Sequence, residues 1–154
     1  MTRLGPLIPT PRAAKRLVNL YRLVRISIPD SSLAAFTGSL AASGSETDGP
    51  YQVVQVLLVV LVGKPAAAER IFRQLMDAPT DSDILTVLAK VADAGLVEGP
   101  FCSRLSTELT RIAERTPLTI AINEYQRWCP RLARYSFHTR HPCCGASDSG
   151  LSPR

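Results

Sequence analysis

The chain has 154 residues, of which 45% are hydrophobic and 20% charged, and its net charge is +5. Such a composition is typical of one soluble globular domain that can bury a core. The longest uninterrupted apolar run, residues 56–62, is far shorter than the roughly 20 residues that cross a bilayer, so it excludes a membrane span there.

The first predicted helix follows Thr10 and covers residues 11–27. Thr10 is a favoured N-cap residue, and Pro11 takes the first helical position, where its missing N–H costs nothing. Apolar residues recur at helical spacing on one side, and basic residues with Asn19 occupy the other. Pro29 ends this helix, and the residues after it are predicted to add a short helical turn.

Proline and glycine divide the rest of the chain into further helices, separated from the first by a loop over residues 43–50. The helix Tyr51–Val62 is apolar on nearly every face and must therefore be central. The remaining predicted helices begin at Pro65, after Asp81 or Asp83, at Pro100, and near Thr119. Gly95 closes the second of these segments and Pro117 the third, and Pro130 bends or breaks the last.

The predicted fold is therefore all-α, a bundle of about five to six short helices. It forms one domain over residues 4–137, followed by a disordered tail over residues 138–154, which has no apolar period. No pair of segments shows a convincing hairpin pattern. Residues 53–62 are rich in β-branched side chains, but their length and flanking residues favour a helix.

Charge is distributed unevenly along the chain. Residues 1–25 carry six basic side chains and no acidic one, residues 26–100 carry four basic and nine acidic, and residues 101–154 carry eight basic and four acidic. The two basic ends either share one basic face or are solvated separately. A net positive charge permits an anionic partner without requiring one.

The cysteines and histidines do not predict a disulfide framework or a strong metal site. Cys102 and Cys129 lie among apolar helical positions and are expected to be buried small hydrophobes. The tail contains the zinc-competent residues His138, His141, Cys143 and Cys144, but adjacent cysteines rarely bind one ion together, so no metal ligand is predicted. With no signal peptide pattern, we expect a reduced, cytoplasmic protein.

Arg12 is the residue that local rules explain least. It lies in the first turn of the first helix, where a cation opposes the helix dipole at a cost of about 0.3–1 kcal/mol. Local rules tend to be broken where function requires it, and the N–H groups at a helix N-terminus favour an anion. An arginine beside them can bind phosphate oxygens in a bidentate way. The alternative is that Arg12 belongs to an ordinary solvated basic face.

The stretch "TPRAAKRLVNLYRLVR", residues 10–25, resembles the sensor-2 helix in the C-terminal lid of AAA+ and related P-loop NTPases. It is most similar to the "PRxxKRxxNxYR" segment of KAP-like and other STAND-type NTPases of actinobacteria. The downstream stretches "GPYQVVQVLLVVLVGKP" and "YQRWCPRLARYSF" also resemble the helical tails of those proteins. In total the resemblance covers roughly residues 4–138.

The resemblance implies that Arg12 contacts the γ-phosphate of ATP, with Arg16 as a neighbouring phosphate or partner contact and Lys15 on the same basic face. The chain contains no GxxxxGK[ST] phosphate loop, and we expect no ATP hydrolysis by the chain alone. ATP with Mg²⁺ would be bound only together with a nucleotide-binding core, as if this were the detached C-terminal part of an NTPase.

Two alternatives to a non-catalytic lid module stay open. The first is a nucleic-acid-binding domain in which residues 12–25 and the arginines near Trp128 form one surface; Trp128 is more readily explained as a core anchor. The second is a protein-interaction domain in which the apolar helix Tyr51–Val62 packs against a partner domain.

Overall fold

The structure, a computed structural model, describes residues 5, 7–38, 49–94, 98–115, 118 and 121–136. Within those residues the chain forms seven helices, which confirms the all-α prediction. They are α1 (Pro11–Ile26), α2 (Asp30–Thr37), α3 (Tyr51–Gly63), α4 (Pro65–Asp77), α5 (Ile84–Asp93), α6 (Gly99–Ala113) and α7 (Ile122–Ala133).

The start of α1 has the predicted geometry. Thr10 has an extended backbone, and its hydroxyl oxygen accepts a hydrogen bond from the N–H of Ala13 at 3.1 Å. Pro11 occupies the first helical position. The apolar side of the helix, with Leu17 and Val24 buried, packs against α3.

Helix α2 is longer than the short turn predicted after Pro29. Asp30 lies in its first turn, where a carboxylate complements the helix dipole, and the helix continues to Thr37. Gly38 then has a φ of 77°, a conformation that glycine adopts without strain. The chain returns at Gly49 against the backbone carbonyl of Phe36, and a Cβ on Gly49 would collide with that carbonyl. Because α2 is a complete helix, the bundle exceeds the predicted five to six helices.

Helix α3 is the centre of the bundle, as its sequence predicts. Ten of its thirteen residues are buried, and α1, α4 and α7 pack around it. Gln55, one of the two glutamines in α3, forms a side-chain hydrogen bond with Tyr21 of α1. Burial of Tyr21 raises the pKa of its phenol. Among the described residues, α1, α4 and α7 therefore cover most of the apolar surface of α3.

The helices α4 to α6 follow in sequence and pack as neighbours, α4 on α5 and α5 on α6. Asp83 is the residue that caps α5: its carboxylate accepts from the N–H of Thr86 at 2.7 Å. The sequence had left Asp81 and Asp83 equivalent. The predicted stops at Gly95 and Pro117 lie outside the described residues.

Helix α7 packs on both α3 and α4 and buries Tyr125, Trp128, Cys129 and Leu132. It runs through Pro130 and ends only at Ala133, so of the two predicted effects of Pro130, a bend or a break, the break does not occur. Its Gln126 amide donates to the carbonyl oxygens of Leu75, at 3.2 Å, and Ala78, at 2.7 Å, beyond the end of α4. Helix α7 is thereby fixed to the C-terminus of α4.

The only pairing of extended backbone in the described part of the chain is one isolated bridge between Asp83 and Ala121. None of the seven helices is both long enough and apolar enough to cross a bilayer. The predicted tail, residues 138–154, and most of the predicted loop lie outside the described residues.

Candidate functional site

Arg12 is exposed, in the second position of α1. Two of the neighbouring backbone N–H groups are already bonded: that of Ala13 to the Thr10 hydroxyl, and that of Ala14 to the Thr10 carbonyl at 3.0 Å. Pro11 has no N–H. Among the described residues, none forms a hydrogen bond or ion pair with the Arg12 side chain. The helix end therefore offers an anion the N–H of Arg12 and its guanidinium.

Arg16, predicted as a phosphate or partner contact, lies against another helix of the bundle. Its Nη2 donates to the carbonyl oxygen of Tyr135 at 3.5 Å, just beyond the C-terminus of α7. A cation is favoured there, because the terminal carbonyls of a helix carry partial negative charge. Arg16 thus connects α1 with α7 across 119 residues of sequence.

Lys15 is exposed, and it lies three positions after Arg12, so the two side chains are neighbours on the helix surface. Of the three predicted contacts, Arg12 and Lys15 therefore face solvent on α1, whereas Arg16 contacts α7. The structure therefore places the side chains of Arg12 and Lys15 together on the surface of α1, next to the N–H of Arg12.

A second basic region lies on α7 and its C-cap residue, where Arg127, Arg131 and Arg134 are all exposed. Their spacing of four and three residues places them on one side of the helix. Arg131 lies 5.0 Å from the ring centre of Trp128, and Arg134 lies 5.0 Å from that of Tyr135. Arg127 forms a loose ion pair of 3.9 Å with Glu124.

Trp128 is only 5% exposed. Its ring packs at a tilt on Phe36 of α2, with 5.5 Å between ring centres. The interpretation of Trp128 as a core anchor is confirmed. Its ring is not open for a nucleobase to stack on, because Phe36 and Arg131 both pack against it.

A cavity of about 810 Å³ lies between the end of α1, helix α2 and helix α7. The three arginines of α7 line it together with Glu124. Since Val24 of α1 lines it too, the two basic ends of the sequence meet around this part of the bundle. The spacing of the arginines was visible in the sequence. The part that α2 plays in the cavity wall could not be predicted from the sequence, because no local pattern pairs Phe36 with Trp128.

Both described cysteines are buried and free, as predicted. Burial raises the pKa of the Cys102 thiol to about 11, with a smaller contribution from the Glu98 carboxylate, and burial raises that of Cys129 to about 12. Neither thiol is therefore a ready nucleophile near neutral pH, since the thiolate is the reactive form.

The described part of the chain contains no group of three or more His, Cys, Asp or Glu side chains that could hold a metal ion. His138, His141, Cys143 and Cys144 lie outside it. In comparisons with known proteins, the chain matches no family model, no curated protein and no solved structure.

Proposed function

We propose that this chain is a non-catalytic helical module resembling the lid of a P-loop NTPase. In this proposal Arg12 contacts a phosphate of ATP, which a partner core holds with Mg²⁺. The observation that carries the proposal is the exposed side chain of Arg12 in the first turn of a capped helix, which forms no hydrogen bond or ion pair with another described residue. A lone arginine so placed costs stability and matches the chemistry of phosphate binding.

Lys15 adds a second positive charge on the same surface of α1 in this proposal. Arg16 has a different role: its contact with the α7 carboxyl end fixes α1 against the bundle and so orients Arg12. Arg16 is thus a positioning residue, and its loss would act through the direction of α1.

The test compares Arg12→Ala with Arg22→Ala, a matched removal of an exposed arginine from the same helix. ATP binding is measured by equilibrium dialysis, first with the purified chain and then with the chain plus a P-loop NTPase core from the same genome. We expect weak binding by the chain alone. With the core, Arg12→Ala should weaken ATP binding about ten-fold or more, as expected for losing a hydrogen bond between charged groups, and Arg22→Ala should leave it unchanged.

Tight ATP binding by the chain alone that survives Arg12→Ala would remove Arg12 from this role. Equal effects of Arg12→Ala and Arg22→Ala with the core would show only a general charge effect and would also refute the proposal.

A second candidate function, binding of nucleic acid, is favoured by the meeting of α1 and α7. Arg16 contacts Tyr135, and arginines are exposed on both helices. Phosphate contacts by such a surface release counterions, so affinity for duplex DNA would fall steeply with salt. The measurement is fluorescence anisotropy of labelled DNA over a range of salt concentrations. Affinity that does not change with salt would exclude this surface.

A further inference from the structure

The cavity between α1, α2 and α7 has the size of a small-molecule site. Its volume of about 810 Å³ falls within the usual range for ligand pockets. It lies away from Arg12, because Val24, which lines the cavity, follows Arg12 by twelve residues, or about 18 Å along the helix axis. A ligand here would therefore be independent of the lid-like contact proposed above.

The cavity wall is positively charged. Its charged residues are Arg127, Arg131, Arg134 and Glu124, which give it a net charge of +2. Arg131 and Arg134 form no ion pair with a described carboxylate, and each lies over an aromatic ring instead. Their guanidinium groups can bind a phosphate in a bidentate way. A phosphate monoester, with a charge between about −1.5 and −2 near neutral pH, complements this wall.

Two buried polar atoms in the lining residues have no hydrogen-bond partner in the described structure: Oε2 of Glu124, an acceptor, and Nε1 of Trp128, a donor. They belong to residues one helical turn apart on α7, so they point to the same side of the helix. An unpartnered buried polar group is costly, and a hydroxyl group both donates and accepts. A hydroxylated ligand would therefore satisfy what the protein leaves unpaired.

Apolar side chains complete the wall, among them Phe36, Ile28 and Leu132. A simple sugar phosphate has only the small C–H face of its ring to cover them, and an acyl phosphate has no hydroxyl groups on its acyl chain. A nucleoside joins a flat base to a ribose with hydroxyls. We propose that this cavity binds a nucleoside monophosphate, with its phosphate on Arg131 and Arg134 and its nucleoside against the accessible apolar wall at Ile28 and Pro29. In this arrangement the ribose hydroxyls are directed towards Glu124 and Trp128.

The experiment uses the full chain, in which Trp128 is the single tryptophan and reports directly on the cavity. AMP, adenosine, inorganic phosphate and 2′,3′-dideoxy-AMP are titrated by Trp128 fluorescence and by calorimetry. We expect AMP to bind with a dissociation constant below about 1 mM and to change the fluorescence saturably. Adenosine, phosphate and the dideoxy compound should each bind about ten-fold more weakly or worse, because each lacks one set of contacts.

The matched variants are Arg131→Gln with Arg134→Gln, compared with Arg104→Gln, an exposed arginine of α6 outside the cavity. Calorimetry is used for them because Arg131 itself contacts the Trp128 ring. The double variant should bind AMP about ten-fold more weakly or worse, and Arg104→Gln should bind AMP with the affinity of the parent chain. Circular dichroism melts establish that both variants fold.

Three results would overturn the proposal. The first is that AMP does not bind with a dissociation constant below about 1 mM. The second is that adenosine binds as tightly as AMP. The third is binding of an oligonucleotide but not of AMP, with the strong salt dependence of a phosphate-tracking surface, since the proposal requires AMP alone to bind in the cavity. Even if the arginine variants were unstable, the comparison among the four ligands would decide the matter with the parent chain.

Discussion

The amide of Gln126 allows a quantitative test of how α7 is held on α4. Its Nε2 lies 2.7 Å from the carbonyl oxygen of Ala78, 3.2 Å from that of Leu75 and 3.4 Å from that of Met76. The amide nitrogen has two N–H groups, so it makes two of these bonds at a time. At about 0.5–1.5 kcal/mol per bond, Gln126→Met, which keeps the size of the side chain, should lower the free energy of unfolding by about 1–3 kcal/mol.

Gln126→Glu should cost more, although the two side chains have nearly the same shape. The carboxylate donates nothing, and it faces carbonyl oxygens at the negative end of the α4 dipole. This repulsion adds up to about 2 kcal/mol to the loss of the two hydrogen bonds, which brings the total loss to about 1–5 kcal/mol near neutral pH. That is a large part of the 5–15 kcal/mol by which a domain of this kind is stable.

The pH dependence of the stability of Gln126→Glu tests whether repulsion between its carboxylate and the α4 carbonyl oxygens causes the loss. The site raises the pKa of a carboxyl at position 126 above its unfolded value of about 4.3, so the native state of Gln126→Glu binds a proton more readily than the unfolded state. Its stability relative to Gln126→Met should therefore be greatest below about pH 4.3 and should fall as pH rises through the folded pKa.

The assay is urea unfolding followed by Trp128 fluorescence and circular dichroism between about pH 4 and about pH 7. Gln74→Glu is the control, because it adds the same charge to an exposed position in the last turn of α4. It should cost at most about 1 kcal/mol. If Gln126→Glu is as stable as Gln126→Met at neutral pH, or if the difference between them does not shrink in acid, the amide does not cap α4.

Three further substitutions test the core and its ionisation. Leu58 is fully buried at the centre of α3, so Leu58→Ala should lower the free energy of unfolding by about 2–5 kcal/mol in urea unfolding. A loss below about 1 kcal/mol would contradict the central position of α3. Burial raises the pKa of Cys129 from 9.0 to about 12, so the native state keeps its proton and stability falls as pH rises above 9. The loss at about pH 10 amounts to about 1 kcal/mol, and Cys129→Ala should show a correspondingly smaller loss between about pH 8 and about pH 10. Gly63→Ala would place a Cβ 2.6 Å from the Leu7 carbonyl oxygen and should cost about 1–3 kcal/mol, whereas Gly5→Ala, which meets nothing within 4 Å, should change the melting temperature little.

Sequence patterns predicted the helices well where the deciding interactions are local. The Thr10 hydroxyl bonds the N–H three residues ahead, and Pro11 needs no acceptor, so the start of α1 depends on four consecutive residues. The apolar residues on nearly every face of α3 likewise predict that this helix lies at the centre of the bundle. Helix α2 was underestimated because its sequence is short and weakly patterned, and packing of Phe36 on Trp128 stabilises it from the other end of the chain.

The candidate sites could be predicted only in part, because their partners are remote in sequence. Arg16 and Tyr135 are 119 residues apart, and Gln126 is 48 residues from Ala78. Helical periodicity identifies which side of a helix is basic, but it does not say which of the arginines on that side another helix end will bind. The same limit applies to the cavity, whose walls come from three helices.

Arg12 and Arg16 show what the geometry adds to the charge pattern. The two side chains lie one helical turn apart on α1 and are chemically identical. Arg16 meets the negative end of α7, an interaction that favours a cation by about 0.3–1 kcal/mol, whereas Arg12 lies at the positive end of its own helix and is disfavoured by a similar amount. Packing alone therefore accounts for an arginine at position 16 and opposes one at position 12. An arginine that lowers stability where any polar residue would serve is the stronger candidate for a function, and this difference makes Arg12 the better choice for the first substitution.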